Sequence, residues 1–120
     1  MTVVAVVLVV LVAVIHVLFF VLEAVLWKTP RGRAIFDTTA ESAELMAPLA
    51  ANQGVYNLFI SAWLVWGLAL SGWAAFQMLL ASLTFALVAG LFGGATVSRR
   101  IFLLQATPAA LGLIAVVAAH

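Results

Sequence analysis

Apolar residues run almost unbroken along this chain, and a few polar positions cut the run into four lengths. The first apolar length covers residues 3–27. Thr29, Pro30, Arg31 and Gly32 are expected to end it, because proline lacks an amide hydrogen and biases the preceding residue away from helix. Residues 28–46 form the one extended polar stretch. Within it, Thr38, Thr39, Ala40 and Glu41 have capping-box spacing, which predicts the start of a short amphipathic helix. That helix either lies along a membrane interface as far as Pro48 or runs on into the second apolar length with a kink. Further helices are predicted over 48–70, 73–97 and 101–119, separated by Ser71-Gly72 and by Ser98-Arg99-Arg100. Pro108 predicts a kink in the last of them.

Composition turns this pattern into a fold class. Of 120 residues, 68% are hydrophobic and 8% charged, and the mean hydropathy is +1.32. A water-soluble domain of this size cannot hide so much apolar surface. A bilayer span needs roughly 20 apolar residues, so the chain has room for about four. The expected fold is therefore all-α: an integral membrane four-helix bundle, one domain over 1–120, with a short interfacial helix between spans one and two. The N-terminus has no basic residue ahead of its apolar run, and that run is too long for the core of a signal peptide, so it is expected to be a retained span.

Charge adds a topology. Every basic residue falls in one of two loops, Lys28, Arg31 and Arg33 in the first and Arg99 and Arg100 in the second. Four spans put both loops on one side, and the positive-inside rule makes that side the cytoplasm. The expectation is a multi-pass protein of the inner (plasma) membrane with both termini outside the cytoplasm. A net charge of +1 gives no reason to expect a nucleic-acid partner. The absence of cysteine removes disulfides, thiol nucleophiles and thiolate metal sites.

Candidate chemistry lies in the polar residues inside the apolar lengths. A polar or ionisable group in the membrane core costs roughly 2.5–3.5 kcal/mol on insertion scales. His16 and Glu23 share one face of the first predicted helix, about 10.5 Å apart along its axis. Asn52, Gln53, Tyr56 and Asn57 occupy two adjacent stripes of the second. With the helices antiparallel, Tyr56 and Asn57 are expected near the depth of His16, and Asn52 and Gln53 nearer Glu23. His16, Glu23, Tyr56 and Asn57 are the catalytic candidates. His16, Asn52, Gln53 and Gln105 are the residues that could hold a cofactor, with haem on His16 as one version. No metal site is expected from a chain with one interior histidine. The bland alternative is interhelical hydrogen bonding at about 0.6 kcal/mol each, with Glu23 snorkelling to pair with Arg31 or Arg33. Gly90 and Gly94 form a GxxxG pair that could serve either the bundle or an oligomer. His120 reads as a solvated end.

The stretches around His16 and Glu23, Trp27-Lys28-Thr29-Pro30-Arg31-Gly32-Arg33 with Phe36, and Ala50-Ala51-Asn52-Gln53-Gly54-Val55-Tyr56-Asn57 resemble a family of small bacterial and fungal membrane proteins. It is catalogued as domain of unknown function 1304. The resemblance covers essentially the whole chain, including the glycine-rich end of the third predicted helix and Gln105. It implies that His16, Glu23, Asn52, Gln53, Tyr56 and Asn57 belong to a shared core, and it implies no activity. The segment between His16 and Glu23 is wholly apolar here, where relatives often carry a tyrosine.

Three functions fit these residues. The first is a polar intramembrane pocket between helices one and two that binds, and could convert, a lipophilic small molecule or cofactor. The second is a small proton-coupled transporter using Glu23, as the size, four spans and lone first-helix glutamate look like the small multidrug-resistance exporters. Against it, all five cations lie on one side and residues 28–46 form a large polar loop. The third is a non-catalytic assembly or lipid-binding subunit. In each case membrane lipids and further copies of the chain are the expected partners.

Overall fold

The computed structural model describes residues 1–120 and is all-α, without strands. Helix α1 spans Val3–Phe20 and continues as a π turn, Val21–Val25. Helices α2, Pro30–Phe36, and α3, Ala40–Ala69, follow. Helix α4 covers Gly72–Thr96, and a second π turn, Phe102–Ala106, leads into α5, Thr107–Ala118. Two stretches are long and apolar enough to cross a membrane, Val3–Val25 and Gly72–Thr96, with Phe102–Ala118 a shorter apolar one. Helix α3 has the length but carries the polar residues 52, 53, 56 and 57.

The polar stretch takes the second of the two expected alternatives, a helix that starts at the capping box and runs on into the second apolar length, and it adds a separate short helix ahead of that one. Its short helix forms at Pro30–Phe36, and Pro30 starts that helix instead of only ending the one before. Proline suits the first helical position, where its missing amide hydrogen would be unpaired in any case. Thr29 caps it: its hydroxyl oxygen accepts from the Gly32 amide at 3.1 Å and donates to the Leu26 carbonyl at 2.6 Å. Asp37 closes it in the left-handed conformation, at φ 51°. Thr39 then caps α3 itself, accepting from the Ser42 amide at 3.1 Å. Consequently α3 begins at Ala40, passes through Pro48 without a break and is about 45 Å long.

The chain forms two compact units, residues 16–59 and residues 1–15 with 60–120. In the second, Ala5, Val9 and Val12 of α1, Ile60 and Leu64 of α3, Leu79, Leu83 and Ala86 of α4, and Ala109 and Val116 of α5 form the core. The sets recur at three- or four-residue spacing in α1, α3 and α4 and at seven in α5, one narrow stripe per helix. The outward faces are apolar too: Val3, Val7, Val14, Val88, Phe92 and Ile114 are all at least half exposed. Gly90 seats against the Ala106 backbone and Gly94 against the Phe102 ring, so the GxxxG face is used within the chain, between α4 and the second π turn. That π turn ends two residues before Pro108, whose ring would clash with the carbonyl four residues earlier, that of Leu104 inside the turn, in a regular helix.

Candidate functional site

The site lies within residues 16–59 and starts from a stripe on α3. Ala43, Ala50, Gly54 and Asn57 are buried, at steps of seven, four and three residues, and three of the four are small. Small residues let helix backbones approach. A Cβ on Gly54 would stand 3.2 Å from both the Cβ and the amide nitrogen of Ala24, and 3.3 Å from the Cβ of Glu23. The first π turn therefore lies directly on α3 at Gly54. Its Leu26 amide donates to the Val21 carbonyl five residues back, at 2.9 Å. Such turns are rare and occur often at functional sites.

One turn beyond Gly54, Asn57 Nδ2 donates to Glu23 Oε2 at 2.6 Å. Asn57 is buried and Glu23 half-buried. No other hydrogen bond and no ion pair engages Glu23; the salt bridge of this region joins Lys28 to Glu44 at 3.3 Å, between exposed side chains. No buried side-chain oxygen lacks a partner, so Glu23 Oε1, which has none, reaches the surface. Glu23 pairs with the Asn57 amide, then, and not with Arg31 or Arg33.

The other end of the contact is held by Trp27. Its indole Nε1 donates to the Ala43 carbonyl at 2.9 Å, and its ring lies 4.8 Å from that of Phe36. Together with the Thr29 cap, this fixes the start of α3 against the end of the first helical run. The Thr-Pro-Arg-Gly string is thus a turn device. A side chain on Gly32 would overlap the Leu26 carbonyl, which makes glycine obligatory there.

His16 is fully buried, with the Phe19 ring edge-on at 6.1 Å. Since no buried side-chain nitrogen is without a partner, its imidazole nitrogens are already engaged. A haem iron needs one of those nitrogens free and an open face beside it, so the residues here do not fit haem at His16. No cluster of His, Cys, Asp or Glu could hold a metal ion.

Of the remaining candidates, Asn52, Gln53 and Tyr56 are exposed, because the buried stripe of α3 passes through 50, 54 and 57 and misses them. Asn57 meets Glu23 instead of lying at the depth of His16. Gln105 is buried in the second π turn and belongs to the other compact unit. Two features escaped the sequence reading. Gly54 is the close-contact point, and its signal was the small residues Ala43, Ala47, Ala50 and Gly54 at heptad-like spacing. His120 is not a free end: its ring lies 3.9 Å from Phe76 and 5.3 Å from Trp73, on a cleft of about 520 Å³ also lined by Leu70, Leu79 and Val116.

No curated protein and no solved structure matches the chain. The sequence model of the family described as "Protein of unknown function (DUF1304)" matches residues 10–117, a span that contains every site residue above, and the chain therefore belongs to that family.

Proposed function

We propose that this chain is a multi-pass membrane protein of the inner (plasma) membrane in which Glu23 and Asn57 form a binding site for a lipophilic small molecule. The apolar outward faces of α1 and α4 support the membrane setting, because soluble monomers rarely expose contiguous apolar patches of that extent. The arrangement of basic loops supports both termini outside the cytoplasm. The observation that carries the binding reading is the Glu23 carboxylate itself. It sits in the most apolar stretch of the chain, has one oxygen fixed by a buried amide, and has the other free at the surface. A carboxylate held in this way is pre-oriented for a partner from outside, and ionisable groups inside spans mark substrate and ion paths.

The test is mass spectrometry of small molecules that co-purify with the protein in nanodiscs formed directly from native membranes. A lipophilic compound enriched with the wild-type chain and depleted with Glu23→Gln is expected. Identical small-molecule profiles for the two proteins would overturn the binding reading.

A further inference from the structure

Resting on the membrane reading above, with α3 crossing the bilayer, we infer that α3 pairs with α3 of a second copy of this chain, the stripe Leu45, Leu49, Asn52, Tyr56 and Phe59 facing its own counterpart. The steps along it are four, three, four and three residues, the repeat of about 3.5 that two helices share when they wind round each other. Leu45, Leu49, Tyr56 and Phe59 are each more than half exposed, and Asn52 is exposed. The stripe lies about 150° around the helix from Ala43, Gly54 and Asn57, the residues that meet the first helical run. One side of α3 is therefore packed within the chain, and the chain leaves the other uncovered.

Depth makes the polar members of that stripe costly. The Trp27 indole bonds the Ala43 carbonyl, so Ala43 lies at the interfacial level where tryptophans gather, beside Lys28 and Arg31. Asn52 and Tyr56 are about 14 and 20 Å further along α3, in the middle of a hydrocarbon layer about 30 Å thick. Neither side chain makes a hydrogen bond within the chain, nor does that of Gln53 at the edge of the stripe. Lipid tails offer such groups no partner, and leaving them unpaired there is expensive. A second copy supplies one. Copies inserted in one orientation are related by a two-fold axis along the membrane normal, so their α3 helices run parallel and Asn52 meets Asn52. A carboxamide both donates and accepts, so two of them answer each other. Residues 45–59 carry no charge that would repel a like copy.

The experiment is copper-phenanthroline oxidation of single-cysteine variants in native membranes, free of background because the chain has no cysteine. Leu49→Cys and Phe59→Cys lie on the stripe and leave Asn52 in place. Leu58→Cys, at a position also more than a third exposed, lies about 140° away. All three replace exposed side chains, so the packed side of α3 is untouched. The expected result is a disulfide dimer of twice the chain mass from Leu49→Cys and Phe59→Cys, at least tenfold more abundant than from Leu58→Cys. Asn52→Leu added to Leu49→Cys is expected to lower the yield at least fivefold, and Asn52→Gln to keep it. Equal yields at the three positions, or no dimer at either stripe position, would overturn the pairing. So would a product of another mass, which would put a different protein on this face. A yield unchanged by Asn52→Leu would overturn the role of the asparagine. Cross-linking involves neither Glu23 nor a small molecule, so it and the co-purification experiment can fail separately.

Discussion

Gly54 meets Ala24 at the point where α3 and the end of the first helical run come closest. A Cβ at 54 would lie 3.2 Å from Ala24, tight enough to push the first π turn away and carry Glu23 with it. Two effects oppose each other in Gly54→Ala. The helix gains up to about 1 kcal/mol of propensity, whereas overpacking costs about 1–3 kcal/mol. The net loss is expected to be small. Gly54→Val adds two further methyl groups with little propensity gain, and its loss is expected to reach about 1–3 kcal/mol. Thermal unfolding in detergent, followed by tryptophan fluorescence, checks the order. A Gly54→Val protein as stable as the wild type would show that the contact is not close.

The Glu23–Asn57 hydrogen bond predicts an asymmetry between its two ends. Glu23→Gln keeps a carbonyl oxygen for Asn57 Nδ2, so the fold is expected to survive with less than about 1 kcal/mol lost, well within the worth of one hydrogen bond. Asn57→Leu removes the donor from a buried position and leaves the carboxylate facing a side chain that cannot answer it. The expected loss is about 1–3 kcal/mol, the usual cost of a polar group deprived of its partner. Equilibrium unfolding of both variants reads the difference, and equal losses would mean that the pair is not bonded.

That pairing also marks how far the sequence could be read. The helical class and the turns at Ser71-Gly72 and Ser98-Arg100 follow from residue pattern alone, since proline, glycine and charge interrupt apolar runs for local reasons. The same pattern placed Glu23 and Asn57 on facing helices but set their register wrong by more than a helical turn. Register between antiparallel helices depends on how the connection folds. Here the connection contains a helix started by Pro30, a Thr29 cap, an indole bond from Trp27 to Ala43, and a π turn. The first two are legible in hindsight from Thr29-Pro30. The Trp27 bond and the π turn are tertiary outcomes with no local signature. The exposure of Asn52, Gln53 and Tyr56 was missed because helical spacing groups residues into stripes without saying which stripe faces inward. The small residues at 43, 47, 50 and 54 are what decide it.

Gly32 and Gly72 are both required, for different reasons and to different degrees. A Cβ on Gly32 overlaps a backbone carbonyl, that of Leu26, which cannot swing aside as a flexible side chain would. Gly72 has open space around it but a φ of +59°, so alanine there meets only the left-handed penalty of roughly 1–2 kcal/mol. Gly32→Ala is therefore expected to lose more than Gly72→Ala, about 3 kcal/mol or beyond, in the upper range for overpacking. Parallel thermal melts give the ranking, and the reverse order would contradict the packing of the Thr29 turn.

His16 supplies a spectroscopic prediction. With its nitrogens engaged and its ring fully buried, it has no coordination position to offer an iron. Protein purified from native membranes is expected to show no Soret absorption, and His16→Ala is expected to leave the spectrum unchanged while lowering stability by about 1–3 kcal/mol through its lost hydrogen bonds. A Soret band that disappears in His16→Ala would reverse this assignment.

The topology can be read directly because the chain contains no cysteine and every introduced thiol reports alone. Thr2, Thr38, Ser71 and Ser98 sit at the start of the chain and in the connections that follow α2, α3 and α4. If α1, α3 and α4 each cross the membrane with the basic loops in the cytoplasm, Thr2→Cys and Ser71→Cys react with an impermeant maleimide added to intact cells. Thr38→Cys and Ser98→Cys then react only after permeabilisation. Each pair tests one crossing: equal labelling of 38 and 71 would mean that α3 lies on the membrane instead of spanning it, and equal labelling of 71 and 98 would say the same of α4. The polar residues of α3 make the first of these the sharper test, because Asn52, Gln53 and Tyr56 are exposed on a helix that this orientation places in lipid.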